Sequence, residues 1–118
     1  MALRASALET GQPANLEVAT GRAGGDGNVE SGAFLVTLAE AVARWHWDEV
    51  AALREEGRAR LGAQQTSDAI LVASGFNGIT RVADAIGIRL DQRTADASAD
   101  FRDSVGISAF APQEKWQA

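Results

Sequence analysis

The only histidine of this chain, His46, is a candidate for acid–base chemistry, and it lies between Trp45 and Trp47. An imidazole with apolar neighbours can donate or accept a proton near neutral pH. The alternative is a histidine at a helix end, hydrogen-bonded to a backbone carbonyl and flanked by two tryptophans in a core or an interface. No carboxylate close in sequence is assigned to it as a partner, and both interpretations stay open.

The chain contains no cysteine. Thiol nucleophiles, disulfides, thiolate metal sites and thiol peroxidase chemistry are therefore excluded for this chain acting alone. We predict no metal site, because one histidine and carboxylates in no recognisable ligand spacing do not make a ligand set. No cofactor is predicted either.

Composition predicts one mostly helical domain over residues 1–118, since 46% of the residues are hydrophobic and alanine, a strong helix former, is abundant. The formal charge is -5, and Lys115 is the single lysine. Nucleic acid is therefore not an expected partner, because binding phosphates requires clustered lysine and arginine. No stretch approaches the roughly 18 apolar residues that span a bilayer, and no secretion signal is evident. We expect no membrane association and a cytoplasmic location.

The first 33 residues are predicted to form a variable segment. Helix formers at Ala2–Glu9 and a proline that could open Pro13–Thr20 predict two short helices. Five glycines between Gly21 and Gly32 predict a flexible surface loop. This loop superficially resembles phosphate or calcium loops, but it lacks their glycine and acidic spacing.

Two amphipathic helices are predicted next. Apolar residues recur at helical spacing from Phe34 to Trp45, and Glu40 precedes Arg44 by four residues, the spacing of an ion pair. Asp48 is the predicted N-cap of the following helix, which Gly57 or Gly62 should end. Trp45 and Trp47, together with Trp116, are either partner-facing anchors or core residues.

A long helix, apolar on nearly all sides, is predicted from a cap at Thr66 or Ser67 to a stop at Gly87. Such a helix should be packed inside something, and its glycines, Gly75 and Gly78, should allow another helix backbone to approach closely. Its polar residues form one line: Ser74, Asn77, Arg81 and Asp84. Beyond it we expect irregular chain over Ile88–Thr94, a short helix from Ser98 to Ser104 and a tail.

The string Phe-Asn-x-x-x-Arg-x-Ala-Asp-x-x-Gly over Phe76–Gly87 resembles the closing helix of the carboxymuconolactone decarboxylase and alkylhydroperoxidase D-like superfamily. Leu38–Ala41 and Val50–Gly57 resemble the helix pair that precedes it there. The resemblance covers residues 34–91, which leaves residues 92–118 as a C-terminal extension. It implies an all-α fold, a small helical bundle of the alkylhydroperoxidase D type, and a homo-oligomer, either a dimer, a trimer or a hexamer.

Peroxidase members of that superfamily carry a Cys-x-x-Cys-x-x-x-His motif on a helix N-terminal to this region. The only candidate register here places Gln12 and Asn15 at the thiol positions and Ala19 at the histidine position. The redox motif is therefore absent, and the short distance from this segment to Phe34 suggests a deletion or an unrelated N-terminus.

The resemblance also brings candidate site residues together. Glu40 and Asp84 would lie on neighbouring helices as a carboxylate pair, or they would instead pair with Arg44 and Arg81 as structural ions. Asn77 and Arg81 could bind an anionic or carbonyl ligand, since arginine offers a planar fork for carboxylate. Alternatively, these two residues tie the helix to a neighbour or to another subunit.

Two functions are open at this point. The first is a thiol-free, oligomeric homologue whose pocket binds a small organic acid through Asn77, Arg81 and Asp84, with His46 or Glu40 as the base for decarboxylation or isomerisation. The second is a non-catalytic oligomerisation or interaction subunit that has lost the redox centre and could pair with a thiol-bearing homologue. Self-association is expected in both cases, because 118 residues can hardly cover the long helix on every side.

The absence of thiols makes a direct prediction about peroxide chemistry. The purified protein should reduce hydroperoxides no faster than buffer when supplied with a dithiol reductant, because nothing in the chain can form a sulfenic acid or a disulfide. A coupled peroxide assay measures this. Turnover that persists through further purification would contradict it.

Overall fold

The computed structural model describes Glu9, Gly11 and residues 13–110. This part of the chain is all-helical and contains no strand, which confirms the all-α prediction. Most of the predicted Ala2–Glu9 helix lies outside the described residues, as does Trp116. Over residues 13–110, four α-helices are followed by a short 3₁₀ helix at Ile107–Phe110: α1 Gly32–Ala43, α2 Trp47–Arg60, α3 Ala63–Ala85 and α4 Gln92–Val105.

The chain divides into two compact units. One is Phe34–Ile86, which contains nearly all of α1 together with α2 and α3, and the other consists of the segments before and after it. The predicted core, residues 34–91, covers the first unit and continues five residues beyond it. None of the described helices combines the length and the apolar character needed to cross a membrane.

The core of the Phe34–Ile86 unit is built on one face of α1. Phe34, Leu38 and Val42 recur at a spacing of four residues, which places them on the same side of the helix, and all three are buried. Partly buried residues of α2 and α3 and of the turn between them pack against this face: Val50, Leu53, Leu61, Ala69, Ile70 and Ala73. The core is therefore small and lies at one end of α3.

Gly57 does not end α2, contrary to one of the two predicted stops, but lies buried inside it. A Cβ atom at this position would lie 2.9 Å from the Thr66 side chain and 3.1 Å from the Phe34 ring. Glycine fits here because the Thr66 and Phe34 side chains occupy the space that a Cβ atom would need. Arg60, one turn later, places its guanidinium 4.8 Å from the centre of the Phe34 ring.

The residues predicted as N-caps of α2 and α3 do not cap these helices in the structure. His46 is the N-cap of α2, and Asp48 lies in the first turn, where its negative charge still favours the helix dipole. Gly62, with φ +86, is the N-cap of α3. Thr66 is buried within the first turns of α3, and its hydroxyl donates a 2.8 Å hydrogen bond to the Gly62 carbonyl. Thr66 is not the N-cap because it lies inside the helix, where its side chain packs against Gly57.

The long helix α3 was expected to be enclosed, and the described residues of the Phe34–Ile86 unit do not enclose it. Beyond Ile70 its large apolar side chains remain 59–69% exposed: Leu71, Val72, Phe76, Ile79, Val82 and, at the C-cap, Ile86. A Cβ atom at Gly75 or Gly78 would meet nothing within 4 Å. We refer to residues 71–86 as the overhang. Gly87, with φ +70, follows it and matches the predicted stop.

In the other unit, Pro13–Thr20 forms turns from Leu16 onward, so the short helix predicted there was wrong. The glycine-rich segment is a loop, as expected. The Asn15 amide donates to the Gly27 carbonyl at 2.7 Å, and the Asn28 side chain donates to the Pro13 carbonyl at 3.0 Å. The Asp26 carboxylate accepts a 2.9 Å bond from the Ala33 amide and thereby caps the start of α1.

Helix α4 begins six residues before the predicted cap at Ser98. Asp91 is the N-cap, and its carboxylate accepts bonds from the Thr94 amide at 2.9 Å and the Thr94 hydroxyl at 2.7 Å. These two bonds, the hydroxyl first, hold the pKa of Asp91 below its ordinary value. Ser98 is buried in mid-helix and donates to the Thr94 carbonyl at 2.6 Å. Gly106, with φ +70, ends the helix.

The packing at Gly57 predicts a large effect of one methyl group. Gly57→Ala should lower the free energy of unfolding by about 1–3 kcal/mol, because Thr66 and Phe34 must move away to admit the Cβ atom. Urea denaturation followed by circular dichroism measures it. The matched control is Ala59→Met, which enlarges an exposed position of the same helix and should change stability by less than about 0.5 kcal/mol. Equal stability of Gly57→Ala and the wild type would contradict the packing.

The Asp91 cap predicts a dependence of α4 on pH. Because the pKa of Asp91 is lowered in the folded chain, the ionised cap stabilises folding above the ordinary aspartate range, and this contribution is lost as the pH falls through the lowered value. Asp91→Ala should therefore speed amide hydrogen exchange in α4 at neutral pH and have little further effect in strong acid. Asp91→Asn keeps an oxygen that accepts from Thr94 and should retain the cap without its pH dependence. The same pH profile for Asp91→Asn and the wild type would contradict this account.

Candidate functional site

His46 lies in the turn that joins α1 to α2. Its amide donates to the Ala41 carbonyl at 3.1 Å, and its carbonyl accepts the first bond of α2 from the Val50 amide at 2.8 Å. Trp45, just before it, has φ +63, a backbone conformation that is rare for a bulky residue. The turn thus holds His46 at the helix start and directs both flanking tryptophans outward.

The partner of His46 is Glu49, three residues further on. The His46 Nδ1 atom lies 3.1 Å from Glu49 Oε2, and both side chains are about half exposed. This contact corrects the expectation that His46 has no carboxylate partner close in sequence. The signal was present in the sequence, because residues three apart in the first turn of a helix lie side by side.

Trp45 and Trp47 form an edge-to-face pair with ring centroids 5.4 Å apart and planes at 66°. They are 61% and 59% exposed, so the alternative that they are core residues was wrong for both. Together with the next residues they line an open depression of about 510 Å³ on the surface of the Phe34–Ile86 unit. Its lining residues are Trp45, His46, Trp47, Asp48 and Glu49.

Glu40, the other residue predicted as a base, has a different neighbour. Its carboxylate lies 3.9 Å from the Arg44 guanidinium, which confirms the ion pair proposed as its structural alternative. Both side chains are more than half exposed, so the pair contributes at most about 1 kcal/mol. Glu40 is not among the residues that line the depression around His46.

The predicted ligand-binding residues lie together on the overhang. Arg81 Nε donates a 2.9 Å hydrogen bond to Asn77 Oδ1, four residues earlier on the same helix. Asp84 lies three residues further along and is exposed. This bond joins two residues of α3 itself, and the alternative that Asn77 and Arg81 tie the helix to a neighbour or to another subunit stays a prediction. None of the three residues lines the depression around His46.

Among the described residues, no three histidine or carboxylate side chains are grouped closely enough to hold a metal ion. No family model matches the sequence, and no curated protein and no solved structure matches it significantly. The resemblance to the carboxymuconolactone decarboxylase superfamily therefore rests on residues 34–91 of the sequence alone.

Proposed function

We propose that this protein is a non-catalytic oligomerisation subunit, a thiol-free homologue of the carboxymuconolactone decarboxylase-like proteins that associates with a second copy of itself through the overhang. The observation that carries the proposal is the exposure of six large apolar side chains along residues 71–86. Monomeric proteins rarely leave a contiguous apolar surface of this size open to water. We also propose that the chain has the alkylhydroperoxidase D-like fold.

The size of the apolar surface suits an interface. Six side chains that are each about two-thirds exposed offer on the order of 600 Å² per copy. Two copies packed through this surface would bury on the order of 1,200 Å², which is the lower end of the range for stable interfaces. The surface is therefore large enough for a dimer.

The character of the surface favours a copy of the same chain as the occupant. Although the chain carries a charge of -5, the overhang has one cation, Arg81, and one anion, Asp84, so two overhangs do not repel each other. Gly75 and Gly78 have open space where a Cβ atom would lie, and two helix backbones can approach closely there. In a dimer with twofold symmetry, the overhang of one copy packs against the overhang of the other. One apolar helix surface per copy is therefore sufficient to form the interface.

The proton-transfer function with a small organic acid receives less support from the site. The depression that contains His46 is lined by Asp48 and Glu49 and by no arginine or lysine, so it disfavours an anionic ligand. Arg81, which was to hold the carboxylate, belongs to the overhang instead. His46 and Glu40 as catalytic residues, and Asn77, Arg81 and Asp84 as ligand residues, stay predictions.

The proposal predicts self-association that depends on the overhang. Light scattering and sedimentation equilibrium should show a dimer or larger at micromolar concentration. Phe76→Glu combined with Ile79→Glu should raise the dissociation constant by at least about a hundredfold, because each copy then loses two apolar side chains from the interface and gains two charges.

The matched control is Ala52→Glu combined with Ala59→Glu, which adds the same charge to exposed positions of α2 and should leave association unchanged. Circular dichroism should show the same helix content in all three proteins. A wild-type monomer at high micromolar concentration would contradict the proposal. Unchanged association of the Phe76 and Ile79 variant would contradict it equally.

A further inference from the structure

The depression at the start of α2 combines two features that a cation would recognise. Its walls are the Trp45 and Trp47 rings, which meet at 66° with their centroids 5.4 Å apart and leave most of their surface open. The face of an indole ring carries partial negative charge and attracts cations, more strongly than the other aromatic side chains do. Two such rings at a steep angle form a corner in which one cation can contact both.

The charges around this corner also favour a cation. Asp48 and Glu49 are the acidic residues that line the depression, and no lysine or arginine lines it. His46 lines it as well, and its Nδ1 atom is within hydrogen-bond distance of Glu49. The acidic lining and the net charge of -5 on the chain both favour cations over anions.

The backbone fixes this corner in place. Trp45 is held at φ +63 by a turn in which its amide donates to the Val42 carbonyl at 3.3 Å and the His46 amide donates to the Ala41 carbonyl at 3.1 Å. A large side chain in the left-handed region is unfavourable, and such residues concentrate at binding and catalytic sites. Here the residue with the unfavourable backbone conformation is Trp45, whose side chain is exposed.

We propose that the Trp45–Trp47 corner binds a quaternary ammonium group. A methylated ammonium spreads its charge over its methyl groups and has no N–H bond to leave unsatisfied, so it suits a site that offers ring faces and nearby carboxylates but few aligned acceptors. The open depression of about 510 Å³ has room for such a group. The carrier of the group is either a small molecule of the choline type or a trimethylated lysine side chain.

The test follows the indole N–H signals of ¹⁵N-labelled protein by NMR during titration with choline. The Trp45 and Trp47 signals should shift and saturate at millimolar concentration. The neutral isostere 3,3-dimethyl-1-butanol should give no saturable shift, and ethanolamine should bind several-fold more weakly than choline. A short peptide with trimethyllysine is the second probe. Tighter binding of the peptide would identify a protein segment as the carrier, and tighter binding of choline would identify a small molecule.

Two variants test the corner itself. Trp45→Gly removes one wall while glycine still accepts the positive φ, and it should weaken choline binding about tenfold. Asp48→Asn should weaken binding several-fold, whereas Glu56→Gln, an acidic position of α2 outside the depression, should leave it unchanged. No saturable shift up to about 100 mM choline would overturn the proposal. An equal response to the neutral isostere would overturn it as well, because the site would then be merely apolar.

Discussion

The contact of Gly57 with Thr66 and Phe34 is the constraint on which the Phe34–Ile86 unit depends. One missing side chain lets α2 lie directly against the first turns of α3, and the Phe34 ring closes the contact from α1. Each of these three residues is buried. The small core can exist because its centre is packed this tightly.

The same contact determines what is left uncovered. At about 1.5 Å per residue, α3 is about 35 Å long, whereas α1 and α2 are about 18 Å and 21 Å long. Because α2 packs on the start of α3, the packing of α1 and α2 against α3 reaches only to Ala73. The overhang extends beyond both shorter helices. The proposed dimer follows from this difference in length and from the apolar composition of residues 71–86.

The sequence predicted helix content and the end of α3 well, because both depend on signals within the chain itself. Apolar spacing defined the helices, and Gly87 could be identified as a stop since its positive φ is a local requirement. The starts were harder to predict. Several residues near each start can act as a cap, and the choice between Asp91 and Ser98 depends on which of them is buried in the folded chain. The burial of Gly57 likewise could not be predicted, because it depends on a neighbour that is distant in sequence.

The candidate site likewise includes contacts that the sequence predicts and features that it does not. The ion pair of Glu40 with Arg44 followed from spacing along one helix, and the pair of His46 with Glu49 obeys the same spacing rule. The exposure of Trp45 and Trp47 was not predictable, because tryptophan serves both in cores and on partner-facing surfaces and only the turn at Trp45 decides between them. The uncovered state of the overhang depends on helix lengths that became known with the structure.

Two hydrogen bonds between parts of the chain that are distant in sequence bear on the order of folding. The Arg22 guanidinium donates to the carbonyls of Asp103 and Ser104 at the end of α4, which are 81 and 82 residues away in sequence. In the core of α1, α2 and α3, by contrast, the most distant members, Phe34 and Ala73, are 39 residues apart. Since closing a longer loop costs more chain entropy, the three-helix core can assemble before Arg22 reaches its acceptors. During synthesis on the ribosome, Arg22 emerges long before its acceptors exist, so the last turn of α4 acquires this support only after Ser104 has been made.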